Sequence, residues 1–277
     1  MNKTVTRPGL RYFGGKWRLA PWIISHFPEH SCYVEPFAGG ASVLLRKDEA
    51  KVEVLNDLDG EIVNFWRVLR EQTEEFIRAI ELTPFSKEEA NLAYLEASDP
   101  LERARRLFIR SWQQRGGPRA QWRSGWRHAT GAGRSNIPAH DWAKTDHLWA
   151  TAARLKAVQL ENDPAMTVIE RYDRPNTLYY VDPPYLPETR SARWSKTAYK
   201  HEMDEKGHEE LAAALRAVKG AVVVSGYASP LYEDLYKGWA RSERETMADS
   251  HLGAVRRVEV LWVKPGTRAR AHQLELA

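Results

Sequence analysis

The sequence is poor in cysteine and lacks long apolar runs. Of its 277 residues only Cys32 is a cysteine, so no disulfide framework can form within the chain, and no Cys/His cluster has zinc-site spacing. No apolar run is long enough to cross a membrane, and the beginning of the chain, Met1–Thr4, lacks the apolar core of a signal peptide. We therefore expect a protein of the reducing cytoplasm, with neither a membrane span nor a structural metal.

Net positive charge is absent from most of the chain and concentrated in one segment. The formal net charge is +4, but residues 110–142 hold six arginines against one acidic residue, a net +5 that leaves −1 for the rest. The same segment contains Trp112, Trp122, Trp126 and Trp142, together with five glycines. Arginine, aromatic and glycine residues together favour a surface that contacts phosphates and bases over a merely solvated insertion.

The most informative stretch is Asp182-Pro183-Pro184-Tyr185, which follows the apolar run Leu178–Val181. The run predicts a buried strand that the tandem proline ends, so a carboxylate, a carbonyl and an aromatic ring are presented together. In open α/β sheets ligands bind at the carboxyl ends of the strands. A flat substrate with an exocyclic amine suits this set, because its ring can stack on Tyr185 while its amine hydrogens go to Asp182 and the Pro183 carbonyl. A plain strand followed by a proline turn is the alternative.

A glycine turn follows an earlier predicted strand. The run Tyr33–Ser42 enters the turn at Gly39-Gly40 and continues into the helix-like run Val43–Leu45. Glycines let the backbone approach a ligand, and a helix N-terminus offers unpaired N–H groups. The spacing is not Gly-x-Gly-x-x-Gly, which argues against a plain dinucleotide fold. The next predicted strand, Val52–Leu55, leads to Asp57, at a distance from the glycine turn where an acidic residue usually holds a ribose diol.

The strand and helix patterns divide the chain. In residues 1–83 and 158–277 the two patterns alternate, which predicts a mostly parallel α/β sheet. Residues 84–157 interrupt the alternation with helical and irregular patterns, and helices begin there at the capping residues Ser86 and Asp99. We predict one domain from the two outer parts and an inserted, mainly helical and loop-rich recognition domain over 84–157.

These motifs, in this order, resemble those of the Dam-type DNA N6-adenine methyltransferases, especially the compact phage and prophage members. The resemblance spans nearly the whole chain except about 84–150. It rests on Leu10–Lys16, Val34–Gly40, Asn56-Asp57 and Asp182–Tyr185, with further matches at His208–Leu211, Val222–Tyr227 and Glu259–Trp262. It implies a Rossmann-like S-adenosylmethionine-dependent methyltransferase sheet. It also implies site-specific methyl transfer from S-adenosyl-L-methionine to N6 of a flipped-out adenine.

The resemblance also implies roles for individual residues. Catalysis is expected from Asp182, Pro183, Pro184 and Tyr185. Cofactor binding is expected from Tyr12, Gly15, Lys16, Glu35, Phe37, Gly39, Asp57, Asp163 and Asp182. Pro164 stands after Asp163 where the family usually has a flat side chain, a departure at the adenine end of the cofactor. In the basic segment, DNA contacts are expected from Arg115, Arg119, Arg123, Trp126, Arg127 and Arg134.

The expected partner is double-stranded DNA, bound by a monomer or weak dimer in the cytoplasm of a bacterium or a phage-infected host cell. No metal and no membrane are expected to take part. Three other functions stay open at this point. An N4-cytosine methyltransferase usually carries serine in place of Asp182, and a protein or RNA methyltransferase usually carries asparagine. A non-catalytic DNA-binding module on the same fold would be expected to lose Asp182 or Gly39, and both are present.

Overall fold

A computed structural model describes residues 4–115, 125–129, 137–190, 199–250 and 253–267. Within these residues the chain forms one seven-stranded sheet and ten α-helices. The strands are β1 Cys32–Glu35, β2 Val52–Asn56, β3 Val158–Glu161, β4 Thr177–Val181, β5 Ala221–Gly226, β6 Ala240–Ser250 and β7 Gly253–Val263. The helices are α1 Ala20–Ile24, α2 Gly60–Glu71, α3 Thr73–Glu81, α4 Lys87–Leu92, α5 Pro100–Gln113, α6 Pro138–Trp142, α7 Asp146–Leu155, α8 Ala165–Arg171, α9 Glu205–Ala217 and α10 Pro230–Leu235.

The strand order places a topological switch point at the centre of the sheet. The order is β3-β2-β1-β4-β5-β7-β6, and the first five of these strands pair in parallel. From β1 the chain proceeds to β2 and β3 on one side, whereas β4 and β5 continue on the other. Ligands of open α/β sheets bind outside the carboxyl ends of the strands at such a point. The predicted α/β sheet is thus confirmed, and its switch point lies where β1 and β4 end.

The apolar strands are buried on both faces, as the absence of polar alternation predicts. In β4, Leu178 and Tyr180 belong to the core on one face of the sheet, and Tyr179 and Val181 to the core on the other. The first core includes buried side chains of α2, α5 and α7, and the second includes those of α8, α9 and α10. Two packed layers therefore hold the carboxyl ends of the central strands in fixed positions.

Two predicted helix starts in residues 84–157 are confirmed. The Ser86 side chain accepts the Glu89 N–H at the start of α4, and the Asp99 side chain accepts the Glu102 N–H at the start of α5. Helices α5, α6 and α7 of this segment contribute to the same hydrophobic core as the sheet residues. The segment is therefore packed against the sheet domain in its helical part. Its role as a recognition domain stays a prediction.

The helix predicted after the glycine turn is wrong. Residues 42–47 form turns, with only two backbone bonds of helical spacing, Leu45 N–H to the Ala41 carbonyl and Lys47 N–H to the Val43 carbonyl. Between them, the Arg46 N–H bonds to the Val43 carbonyl, only three residues back, at 3.1 Å. The Leu44 N–H donates to Glu35 Oε1 at 2.8 Å, so the side chain at the end of β1 holds this turn.

None of the helices in the described parts of the chain is long and apolar enough to cross a membrane.

Candidate active site at the carboxyl edge of the sheet

A cavity of about 530 Å³ lies at the carboxyl ends of β1, β2 and β4. It brings together eight of the nine side chains or turns predicted to bind a cofactor, namely Tyr12, Gly15, Lys16, Glu35, Phe37, Gly39, Asp57 and Asp182. Pro184, predicted to be catalytic, also lines it. Segments far apart in sequence meet here because parallel strands all end at one edge of the sheet.

The glycine turn is held in a conformation that requires glycine. Gly39 has φ +44°, and a Cβ at this position would lie 2.8 Å from Cδ1 of Tyr12. A side chain here would both strain the backbone and displace the tyrosine ring. The Gly39 N–H donates to Asp57 Oδ2 at 2.8 Å, and the Asp59 N–H donates to Oδ1 at 2.9 Å. Asp57 therefore fixes the turn from the neighbouring strand.

Burial changes the protonation of two carboxylates in the cavity wall. Desolvation raises the pKa of Asp57 to about 6, against the opposing effect of the hydrogen bonds from Asp59 and Gly39. Desolvation likewise raises the pKa of Glu35 to about 7, although its Oε1 accepts both the Tyr33 hydroxyl at 2.7 Å and the Leu44 N–H. Both groups are thus poised to change charge when a ligand alters their surroundings.

The Asp182 carboxylate is oriented from two sides. Ser225 Oγ donates to Asp182 Oδ1 at 2.9 Å, and the hydroxyls of Ser225 and Tyr180 lie 3.0 Å apart. On the other side, Lys16 Nζ lies 3.0 Å from Asp182 Oδ2 and donates to the Gly14 carbonyl at 2.8 Å. Burial opposes charge on Lys16, but the carboxylates of Asp182 and Glu259 outweigh it and raise the Lys16 pKa above its ordinary value. Asp182 thus keeps a fixed direction beside a permanent cation.

Tyr185, predicted to stack on the substrate, is buried behind the cavity wall. Its hydroxyl donates to Glu259 Oε1 at 2.5 Å, and its ring meets that of Tyr227 edge-on, with centroids 4.8 Å apart. Lys16 Nζ lies 4.7 Å from the centroid of the Tyr185 ring. Neither Tyr185 nor Pro183 contributes to the described lining of the cavity. The stacking role stays a prediction.

Asp163 lies apart from the other predicted cofactor residues. Its side chain is 42% exposed and pairs with Arg171 at 2.7 Å, outside the described cavity lining. Its backbone is held by the Asn56 side chain, which accepts the Asp163 N–H and donates to the Asp163 carbonyl. The structure therefore ties this loop to the end of β2 through the backbone, and the contact with cofactor adenine stays a prediction.

One wall of the cavity is formed by residues that the sequence analysis did not select. They lie in the sequence between the loop that follows β4 and helix α9. They are Tyr199, Lys200, His201, Glu202, Met203 and Asp204. Lys200 Nζ pairs with Asp59 Oδ1 at 2.9 Å across the cavity, and Tyr199 meets Phe13 edge-on at 5.6 Å. No local pattern marks these side chains, because tertiary packing alone brings them to the cavity.

Of the residues predicted to bind DNA, Arg115 is exposed, whereas Arg119, Arg123 and Arg134 lie outside the described residues. The Arg127 side chain packs against the protein. Its Nη1 donates to the Trp112 carbonyl at 2.9 Å, and its Nη2 lies 3.9 Å from Asp141 Oδ2.

The tryptophans of the basic segment are partly explained by packing. Trp112 and Trp142 are buried in the core, and Trp126 packs on Phe85 with ring centroids 5.2 Å apart. Trp122 lies outside the described residues. Trp126 and Arg127 thus have structural roles in packing and hydrogen bonding. Their contact with DNA stays a prediction.

Within the part of the chain that the structure describes, no group of three or more His, Cys, Asp or Glu side chains is placed to hold a metal ion.

A parallel sheet with a glycine turn after β1, an acidic residue after β2 and a carboxylate after β4 defines an α/β fold that binds a nucleotide-like ligand at its switch point. The sequence model described as "D12 class N6 adenine-specific DNA methyltransferase" matches residues 12–249. The chain belongs to this family. As a methyltransferase of this family it uses S-adenosyl-L-methionine as its cofactor, as the sequence predicts.

Characterised relatives of similar length support the assignment. The chain is 25% identical to the DNA adenine methylase of Salmonella typhi, with 97% of this chain and 94% of the relative covered. It is also 25% identical to the DNA adenine methylase of Escherichia coli K12, over 83% and 84% of the two chains. A further relative is the Type II methyltransferase M1.LlaDCHI of Lactococcus lactis subsp. cremoris, 25% identical over 85% and 86%.

Likeness to solved structures is weak. A putative methyltransferase from Streptococcus mutans in complex with SAH has a TM-score of 0.40 and 10% identity, covering 89% of this chain and 96% of that one. A SAM-dependent methyltransferase from Agrobacterium tumefaciens has a TM-score of 0.36 and 12% identity, covering 90% and 60%. Likeness at this level has no bearing on the site.

Proposed function

We propose that the protein methylates N6 of an adenine in double-stranded DNA, with Asp182 and the Pro183 carbonyl orienting the amine. The observation that carries this assignment of roles is the position of Asp182. It lines the cavity at the end of β4 and is held on both sides by Ser225 and Lys16. The family match supports adenine N6 methylation, and we propose that it takes place in this cavity.

The cavity fits S-adenosyl-L-methionine in its size and in the chemistry of its walls. The ligand is a nucleoside with a charged amino-acid tail, and about 530 Å³ is within the range of small-molecule sites. Asp57 is placed to accept ribose hydroxyls, Phe37 and Tyr12 offer aromatic faces, and the Gly39 turn allows close backbone approach. When bound, the cofactor supplies a methyl group on a positive sulfonium.

The protein's own contribution to methyl transfer is orientation. The lone pair of adenine N6 is delocalised into the ring, and it must be localised and directed at the methyl carbon. Asp182 can accept one N6 hydrogen, and the Pro183 carbonyl the other, which favours tetrahedral geometry at N6. Each carboxylate oxygen has two lone pairs, so Asp182 keeps acceptor capacity beside its bonds to Ser225 and Lys16. After transfer N6 becomes acidic, so its proton leaves late and Asp182 need not be a strong base.

The duplex must release the base before this geometry can form. Adenine N6 is paired and stacked within double-stranded DNA, and enzymes that modify such atoms extrude the nucleotide into a pocket. We propose that the base enters beside Asp182 and Pro184, which both line the cavity. The ring of Tyr185, beneath this wall, supports the loop that carries them.

The alternatives are less well supported. N4-cytosine chemistry is disfavoured by Asp182 itself and by the family match, which is specific to adenine N6. A non-catalytic module is disfavoured because Asp182 and Gly39 both stand at the cavity in ordered hydrogen-bond networks. We further propose that a monomer or weak dimer reads its target through residues 84–157, in the cytoplasm of a bacterium or a phage-infected host cell, where the DNA is.

The test is methyl transfer with labelled cofactor and DNA, followed by identification of the modified base and its sequence context. Asp182→Ala should lower turnover by about 100-fold or more, because it removes a contact that orients the amine in the transition state. The exposed Asp234→Ala on α10 is the matched control and should retain wild-type turnover. Label on cytosine, or more than about a tenth of wild-type turnover in Asp182→Ala, would contradict the proposal.

A further inference from the structure

Glu259 is a buried carboxylate in an apolar strand. It lies in β7, next to Val260, which pairs with Gly226 at the carboxyl end of β5. It is 3% exposed, although its neighbours Val260, Leu261 and Trp262 are core side chains. Burying a charge is expensive unless it is paired and hydrogen-bonded, so a carboxylate kept here must have specific partners.

One oxygen of Glu259 joins two separate parts of the active site. Oε1 accepts the Tyr185 hydroxyl at 2.5 Å and lies 3.6 Å from Lys16 Nζ. Tyr185 belongs to the loop after β4, and Lys16 to the N-terminal segment, which also lines the cavity. Lys16 Nζ is closer to Asp182, at 3.0 Å, so the ammonium is shared between two carboxylates.

We propose that Glu259 is a positioning residue for methyl transfer, which holds Lys16 between two carboxylates and anchors Tyr185 under the catalytic loop. This inference rests on the proposed function, since it assumes that Asp182 accepts a hydrogen of the target amine. Glu259 is outside the described cavity lining, so it acts through its two partners and not by touching substrate.

Loss of the Glu259 charge changes what Lys16 does. The ammonium is then left with Asp182 as its sole carboxylate partner among the ion pairs described here. A tighter pair pulls the Asp182 carboxylate away from the direction that the target amine needs, so the amine is oriented less often. The Tyr185 hydroxyl is then left with a neutral acceptor, whose weaker hydrogen bond loosens the loop that carries Pro183 and its carbonyl. Both effects reduce turnover more than substrate affinity.

Glu53 provides a matched control for a purely structural effect. It is also a buried carboxylate in a strand, 3% exposed, and its Oε1 and Oε2 pair with Lys47 at 2.6 Å and Arg154 at 2.5 Å. It is not among the described residues of the cavity wall. Removing the Glu53 charge takes the carboxylate partner from Lys47 and Arg154, and removing the Glu259 charge takes one of two carboxylates from Lys16, so both changes destabilise the fold. Of the two substitutions, only the one at Glu259 is expected to lower kcat while KM stays nearly unchanged.

The experiment compares Glu259→Gln, Glu53→Gln and the wild type in methyl transfer to DNA, with cofactor affinity measured by calorimetry and stability by urea unfolding. Glu259→Gln should lose about 10- to 100-fold in kcat, the range for interactions with a charged group, while both KM values stay within about threefold. Glu53→Gln should keep kcat within about twofold of the wild type. Equal kcat losses in the two variants, or a Glu259→Gln kcat near the wild-type value, would overturn the inference.

Two further variants keep the inference testable if Glu259→Gln does not fold. Tyr185→Phe removes only the hydroxyl and should lower kcat without changing cofactor affinity, and Glu259→Asp should recover part of the turnover because it keeps the charge. In the double variant Tyr185→Phe/Glu259→Gln the losses should not multiply if they share one hydrogen bond. Fully multiplied losses would overturn the route through Tyr185. Wild-type activity in the same assay tests the proposed function separately, so the two failures are distinguishable.

Discussion

Asp57 Oδ2 accepts the backbone N–H of Gly39 at 2.8 Å, although the two residues, which follow β2 and β1, lie 18 positions apart in the sequence. This bond links the residue expected to hold the ribose to the turn expected to lie beneath it. Because both Asp57 oxygens already accept backbone N–H groups, the carboxylate is preorganised before any ligand arrives.

We expect Asp57→Ala to weaken S-adenosyl-L-methionine binding by roughly 1.5–3 kcal/mol, the contribution of charge-assisted hydrogen bonds left unmade. Titration calorimetry measures the change. The variant also loses the acceptor for Gly39, so its thermal unfolding should be recorded alongside. The exposed Asp48→Ala serves as the control and should bind as the wild type does. An unchanged affinity in Asp57→Ala would remove this residue from the cofactor site.

Cofactor affinity should fall as the pH is lowered through about 6. Burial raises the pKa of Asp57 to about 6, and only the ionised carboxylate can accept two ribose hydrogens while keeping its backbone bonds. Binding should stabilise the charged form and release protons near this pH, with a limiting slope of about tenfold in affinity per pH unit. Glu35, whose pKa is raised to about 7, titrates in the same cavity.

Calorimetry between pH 5 and 8, in buffers of different ionisation enthalpy, can count the protons released. The Asp57→Asn variant separates the two carboxylates, because it keeps the shape of the side chain and removes its titration. It should bind weakly at every pH and lose the part of the slope centred near 6. If Asp57→Asn kept the wild-type pH profile of cofactor affinity, the slope near pH 6 would have to come from another group.

Two buried histidines should make the fold sensitive to acid. Burial lowers the pKa of His147 to about 3 and that of His208 to about 4, from an ordinary value near 6.5. The unfolded chain therefore binds more protons between pH 6.5 and 4, and the free energy of unfolding falls as the pH decreases through that window. At pH 5 each histidine should account for up to roughly 2 kcal/mol of the loss.

Urea unfolding at pH 7 and pH 5 tests this. The carboxyl groups of Asp57 and Glu35, with raised pKa values, contribute in the opposite direction, so the comparison is made between variants. His208→Gln should be less stable than the wild type at pH 7 but lose less stability on acidification. The exposed His140→Gln is the control and should follow the wild type. Parallel pH profiles for all three proteins would contradict the assignment.

The strands that could be predicted are those with a local apolar signal. Thr177–Val181 and Ala221–Gly226 are continuous buried runs, and both were expected within a residue or two of their observed bounds. The edge strand Ala240–Ser250 was not predicted, because its first half is rich in charged residues. Such a sequence is typical of a protected edge strand and of a solvated loop alike. The run after Gly40 forms turns in place of the expected helix, and an apolar run as short as Val43–Leu45 does not distinguish the two.

The predictable part of the site is the part carried by strand ends. Asp57 and Asp182 could be found from sequence because a polar residue that follows a buried strand is brought to the carboxyl edge of the sheet. Ser225, near the end of the buried strand β5, follows the same rule but was not selected. Tyr199 reaches this site through tertiary packing, which no local pattern shows. For Glu259 there was a signal, an acidic residue inside an apolar strand, but no pattern could show which partners it meets.

Residues 110–142 should contribute to DNA affinity through phosphate contacts. Each contact makes the logarithm of affinity fall with the logarithm of salt concentration by a slope of roughly 0.9. Replacing Arg115, Arg119 and Arg123 by alanine should therefore flatten the slope by up to about 3. If some of these arginines read bases instead, the slope should change less and the set of methylated sequences should broaden.

Arg127 should behave differently from these three arginines, although it belongs to the same basic segment. Its guanidinium is 16% exposed, donates to the Trp112 carbonyl and lies 3.9 Å from Asp141. Arg127→Ala should therefore lower stability by about 1–3 kcal/mol, because it removes the donor to the Trp112 carbonyl and one of the two cations beside Asp141. Its salt slope should stay near that of the wild type. Filter binding at several salt concentrations, beside urea unfolding, separates the two roles.

If the triple variant of Arg115, Arg119 and Arg123 kept wild-type affinity, salt slope and site preference, residues 110–142 would be a solvated insertion. An Arg127→Ala variant with wild-type stability and a flattened slope would make that residue a DNA contact, as the sequence alone suggests.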